Sequence, residues 1–320
     1  MAFENKWAKY YRKAIFQLRV NMIAVKFFKK SISFVPKKIK QRMLKLEDAQ
    51  DAIRQIILDG KPAMIARFGL YEARCTADGI GIKLKKMSHL SKTLLDVIYL
   101  NAGVFPRGEE MALRFGEISE EAATQVDLLG WWPTYMQDFL TLEVCPNNMM
   151  LTELASLEPY RSDKPWTSAL KGKKVLVIHP FKESIESQYQ KRALLFKNPD
   201  MLPEFDLTVL KAVQTIAGEK DDRFENWEQA LNYMYEEGMK TDFDVAIIGC
   251  GAYGMPLAAM FKKAGKIAIH LGGATQLLFG IKGTRWDDGI GNELYNENWV
   301  RPLETEIPKS FKKIENGCYW

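Results

Sequence analysis

The feature that most restricts how this 320-residue chain can fold is a glycine pattern, Gly249-Cys250-Gly251-Ala252-Tyr253-Gly254, set inside residues 242–279. Before it, Val245 to Ile248 is a short apolar run suited to a buried parallel strand. After it, Met255 to Lys263 repeats apolar residues at helical spacing and stops at Gly265. Ile267 to Leu271 is a second apolar run, so the stretch predicts a βαβ unit. In that context a G-x-G-x-x-G permits a tight turn, lets backbone N–H groups approach a phosphate, and adds the partial positive charge of a helix start. Pro256 suits the first helical turn, where its missing N–H costs nothing. The same glycines also fit a purely structural turn, and the pattern leaves both readings open. A dinucleotide site further expects an acid at the end of the second strand to bind ribose hydroxyls. Here that place holds His270, followed by Leu271, Gly272 and Gly273. A second glycine turn therefore follows the second strand, and two such turns suit a nucleoside diphosphate better than NAD.

The length allows one large or two small domains, and 47% hydrophobic with 27% charged residues is ordinary for a globular chain. Cys75, Cys145, Cys250 and Cys318 are widely spaced and form no C-x-x-C, which argues against a zinc site or disulfide framework and favours a reducing cytoplasm. No run of 18 apolar residues exists, and the N-terminus lacks the pattern of a secretory signal. Charge is unevenly spread: residues 1–46 carry thirteen Lys and Arg against Glu4 alone, inside a chain whose net charge is only +5. Trp7, Tyr11, Ala14, Leu18, Met22 and Val25 recur at three or four residues, predicting a basic amphipathic helix in residues 1–45. Such a helix can lie on an anionic membrane surface, placing the protein peripherally on the inner face of the cell membrane. It can equally dock on the body or on a second copy of the chain. Nucleic acid is the least favoured partner, because no recognised binding module accompanies the basic residues.

Two further units follow, residues 46–160 and 161–320, with the boundary in the polar, turn-rich stretch 159–172. Leu46 to Leu58 reads as an amphipathic helix, and Pro62 to Phe68 as a buried strand that delivers Arg67, Gly69, Tyr71 and Glu72 into a loop. Ligands in open α/β sheets bind beyond the carboxyl ends of strands, so Arg67 and Glu72 are candidate site residues, although they can also simply pair with each other. His89 to Leu100 is expected to be helical, as is Ser119 to Leu129 with Ser119 as its cap. The aromatic cluster Trp131, Trp132, Tyr135 and Phe139 suits core packing more readily than stacking on a ligand. Lys173 to His179 and Phe205 to Val213 are strand candidates, and Gln188 to Leu195 and Asn226 to Gly238 helix candidates. Ser184 stands near a helix start, where its hydroxyl can bond a phosphate or cap the helix. The alternation predicts an α/β fold, a Rossmann-like doubly wound and mostly parallel sheet, with the tail after Gly280 wrapping back over its carboxyl edge and bringing Lys282 and Arg285.

With Arg67-Phe68-Gly69-Leu70-Tyr71-Glu72 behind one strand and the glycine turn at Gly249 behind another, the chain resembles the GT-D-fold glycosyltransferases of bacterial surface-glycan and glycoprotein pathways. The resemblance spans about 46–285 in pattern. It implies an R-x-G-D-G-E-like turn whose two acids hold Mn2+ or Mg2+ and the diphosphate of a nucleotide sugar. Arg67, Gly69 and Glu72 match that turn, while Leu70 stands in the place of the first acid and Tyr71 in that of the second glycine. Only Glu72 is then left as a metal ligand. The resemblance further implies transfer of a sugar from a nucleotide-diphosphate donor to a lipid-linked or polysaccharide acceptor. Without a metal, Arg67, Lys282, Arg285 and the two glycine turns can neutralise the diphosphate, with Glu72 as general base. A nucleotide-dependent oxidoreductase is a competing expectation, disfavoured by His270. A non-catalytic binding or scaffold protein of the same fold is another, favoured by Leu70.

Overall fold

A computed structural model describes residues 36–313 and 315–320. The amphipathic helix expected before residue 36 lies outside the described residues. The fold is α/β and, among the described residues, has eight parallel strands in one sheet: β1 (Met43–Leu44), β2 (Ala63–Arg67), β3 (Leu128–Trp131), β4 (Met150–Glu153), β5 (Lys174–His179), β6 (Asp206–Lys211), β7 (Val245–Ile248) and β8 (Ile267–His270). Their spatial order is β1-β4-β3-β2-β8-β7-β5-β6, so the sheet is Rossmann-like and doubly wound as expected, and every pairing is parallel. The central strands are buried on both faces, which is why they read as continuous apolar runs. Successive residues still divide between two cores. Met64, Ala66, Leu176, Ile178, Ala246, Ile248 and Ala268 join the core under helices Leu70–Lys83, Glu109–Ala123, Trp227–Met239 and Gly254–Lys263. Ile65, Val175, Val177, Val245, Ile247, Ile267 and Ile269 join the opposite one, under helices Leu46–Asp59 and Lys182–Tyr189 and the C-terminal tail.

Chain direction then determines where the sheet opens. Strands β2 and β8 are neighbours, but β2 feeds helix Leu70–Lys83 on the first face and β8 feeds helix Thr275–Leu278 on the second. Strands β7 and β5 diverge in the same way, toward helices Gly254–Lys263 and Lys182–Tyr189. Diverging connections leave a crevice beyond the carboxyl ends of the strands.

Three local expectations are corrected. Helix Glu109–Ala123 begins ten residues before Ser119, with Glu109 and Glu110 in its first turn and Met111, Ala112, Phe115, Ser119 and Ala122 forming a buried stripe. Ser119 is buried inside it rather than capping it, and Leu128 and Leu129 belong to β3. The acidic pair Glu120-Glu121 imitates a helix start because it falls on the exposed side. The helix expected over 188–195 is two pieces, Lys182–Tyr189 and Arg192–Leu195. Elsewhere the helix ends are capped locally: Ser91 Oγ accepts from Leu94 N at 3.2 Å, Asn226 Oδ1 from Gln229 N at 3.0 Å, and Gly60 closes its helix at φ 67°.

Candidate functional site

The crevice holds a cavity of about 240 Å³, far more than the roughly 10–15 Å³ that one water needs. The carboxyl ends of six strands contribute to its lining: Arg67 from β2, Trp132 beyond β3, His179 from β5, Val213 beyond β6, Gly249 beyond β7 and His270 from β8. Of the residues singled out in the sequence, Arg67, Gly69, Glu72, Gly249, Gly251, His270, Gly272, Gly273 and Arg285 all line this one cavity. Gly254, Ser184 and Lys282 do not.

The three glycines of the first turn have different duties. A Cβ at Gly249 would stand 2.6 Å from His179 Cδ2 and 2.7 Å from Thr275 Oγ1, so this glycine lets two strand ends and a helix close together. A Cβ at Gly254 would stand 2.2 Å from His270 Cδ2; the helix can sit on β8 only without one. Gly251 differs from both, with φ +58° and nothing within 4 Å of a Cβ position. It lies on the cavity wall just ahead of the ten-residue helix Gly254–Lys263. Close packing at the third glycine and open backbone at the second are the division of labour found in phosphate-binding turns.

In the second turn, Gly272 has φ +70° and a Cβ there would stand 3.0 Å from Arg67 Nη1, so the guanidinium is packed onto this turn. Arg67 also donates from Nη2 to the Phe68 carbonyl at 3.0 Å and lies 6.0 Å from the Trp132 ring centre. Trp132 is itself fixed by Nε1 donating to that carbonyl at 3.0 Å. At Gly273 a Cβ would meet the Tyr319 ring at 2.6 Å. The tail thus lies on the turn, held by Gln276 Nε2 donating to the Tyr319 carbonyl at 3.1 Å and Arg285 Nη1 donating to its hydroxyl at 2.9 Å. Trp320 completes that wall, buried against Phe181 and Phe311.

Glu72 lies in the first turn of helix Leu70–Lys83, three residues after the N-cap Gly69, and its carboxylate folds back over that glycine. A Cβ at Gly69 would stand 2.0 Å from Oε2, so the absent side chain is what lets the carboxylate lie there. His179 and His270 are buried, and burial holds both pKa values down to about 3, with the Arg67 charge a second cause at His270. Both rings are neutral at physiological pH. Phe181 N donates to His179 Nδ1 at 3.1 Å, which leaves the proton of that neutral ring on Nε2. Cys250 is buried, and desolvation raises its pKa, so it remains a thiol.

Ser184 is engaged elsewhere: its hydroxyl donates to Glu306 Oε2 and its N–H to Oε1 at 3.2 Å. A tail carboxylate, not a phosphate, therefore satisfies the start of helix Lys182–Tyr189. Lys282 places its ammonium 5.4 Å from the Tyr295 ring centre. A divalent cation does not fit the donor set. Leu70, 41% exposed, stands where the resembling turn has an acid, and among the described residues no group of three His, Cys, Asp or Glu can hold a metal ion. Sequence reasoning missed His179, Trp132, Thr215, Tyr319 and Trp320 as lining residues. For His179 a signal existed, since it ends a predicted parallel strand as His270 does.

No family model matches the chain, and no curated protein matches it. A solved structure described as a selenomethionine-substituted "domain of unknown function 1792" is similar to it, with a TM-score of 0.45 and 12% identity, over 83% of this chain and 92% of that one.

Proposed function

We propose that this protein is a glycosyltransferase that takes its sugar from a nucleotide-diphosphate donor. The observation that carries the reading is the Gly251 turn: open backbone at positive φ ahead of a helix, on the same cavity as Arg67 and Glu72. The donor diphosphate lies against the Gly251 and Gly272 turns beside Arg67. Glu72 takes the proton of the acceptor hydroxyl as it attacks the sugar carbon, and the nucleoside diphosphate leaves. The resemblance of the Arg67 to Glu72 segment to GT-D-fold enzymes supports the same assignment. Nucleoside diphosphates are expected to raise the melting temperature while NAD does not, because a ligand that binds only the folded state stabilises it by mass action. Gly251→Val strains the positive φ and fills the open wall, so it should abolish that shift. An unchanged shift in a folded Gly251→Val variant would leave the turn as structure alone.

The acceptor in this reading is a lipid-linked or polysaccharide glycan at the inner face of the cell membrane, reached through the basic residues of 1–46. Among the described residues no helix is long and apolar enough to cross a membrane. Each Lys or Arg near an anionic surface contributes about 1 kcal/mol. The full chain should therefore co-sediment with anionic vesicles in a salt-sensitive way, and a chain starting at Leu46 should not. Equal binding by both would remove the membrane from the proposal.

A further inference from the structure

Arg67 is a half-buried cation that no anionic side chain pairs with among the described residues. Its guanidinium is held by the Phe68 carbonyl, the Trp132 ring and the Gly272 turn, and among the described residues no carboxylate forms an ion pair with it. Removing a charge from water without a counter-charge is costly, so such an arrangement favours an anionic ligand. The other charged groups on the cavity wall are Glu72 and Arg285. Both imidazoles there are neutral and add no positive charge to the wall. Among the described residues the metal that the resemblance implies finds a single side-chain carboxylate in that wall, and that one is folded over Gly69.

Resting on the donor reading above, we propose that this cavity binds a diphosphate as the anion paired with Arg67 and the Gly251 and Gly272 turns, with no divalent cation. The guanidinium packed on Gly272 lines the same cavity as the glycines of both turns, and the planar fork of arginine suits two phosphate oxygens at once. Titration calorimetry with inorganic pyrophosphate and with UDP, each in EDTA and in excess Mn2+, tests this. Affinities equal within about twofold in the two media are expected, with Arg67→Gln weakening both ligands roughly ten- to hundredfold. Binding that requires Mn2+, or an Arg67→Gln variant that binds as the native chain does, would overturn the inference. The native chain in EDTA decides the matter even if the variant fails to fold. Pyrophosphate bound without any gain from the nucleoside would sink the nucleotide-donor reading while leaving the anion site in place, whereas Mn2+-dependent UDP binding would do the reverse.

Discussion

Glu72→Gln is expected to lower turnover of a nucleotide-sugar donor by about 10²–10⁴-fold while the protein stays folded, the range lost when a positioned general base is removed. The argument depends on separating two duties of one side chain. Glu72 occupies the helix position from which a carboxylate reaches back over the N-cap, and its Oε2 lies where a Cβ at Gly69 would stand 2.0 Å away. Glutamine has nearly the same size and shape and can fill the same space over Gly69. It cannot take a proton. Stability should therefore change little, by a few tenths of a kcal/mol from the lost charge at the helix N-terminus. Donor affinity should also hold, because Arg67 and the glycine turns carry it, so the loss should fall on kcat. Gly69→Ala offers an independent route to the same carboxylate: the new methyl displaces it, so turnover should fall with Glu72 still present. Normal turnover in Glu72→Gln would remove the residue from the mechanism.

How much of this site was legible in the sequence depended on where each signal resides. The turns after β2, β7 and β8 were readable because each apolar strand runs into glycine, and after β7 a helix follows as well; the helix Leu70–Lys83 was not, and Tyr71 and Glu72 lie in its first turn rather than in the expected loop. Strands β1, β3 and β4 were not. They are two to four residues long, and Met43–Leu44 or Met150–Glu153 becomes a strand only because a parallel partner lies beside it. Ser184 looked like a phosphate ligand from its place before a helix, yet its partner is Glu306, more than a hundred residues on. The tail residues Tyr319 and Trp320 carry no local motif at all. They reach the cavity because Gln276 and Arg285 bind the tail, a long-range arrangement that periodicity does not encode.

Lowering the pH from 7 to 5 is expected to destabilise the fold by roughly 2–4 kcal/mol, chiefly through His179 and His270. Their folded pKa values of about 3 lie below the ordinary imidazole value of 6.5, and the first physical cause in both is burial. The unfolded chain therefore binds two protons that the folded chain refuses. Where the unfolded state binds more protons, stability rises with pH, so this contribution is complete above pH 6.5 and is lost as pH falls toward 3. At pH 5 each ring stands about 1.5 pH units inside that window, equivalent to about 2 kcal/mol. Asp78 and Glu306 act in the opposite sense, because burial raises their pKa and the folded state takes up protons from its own side, which offsets part of the loss. Glu121, Asp221 and Glu228 are held down by Lys263, Arg223 and Arg114 respectively, and their contribution is lost at lower pH, outside this window. Urea denaturation at pH 7 and 5 measures the sum, and imidazole NMR titration identifies the groups. Both rings should remain unprotonated at pH 5 in the folded protein. If either titrates near 6.5, the assignment of buried, neutral imidazoles on the cavity wall fails with it. So does the inference that Arg67, rather than a protonated imidazole, supplies the positive charge facing the ligand.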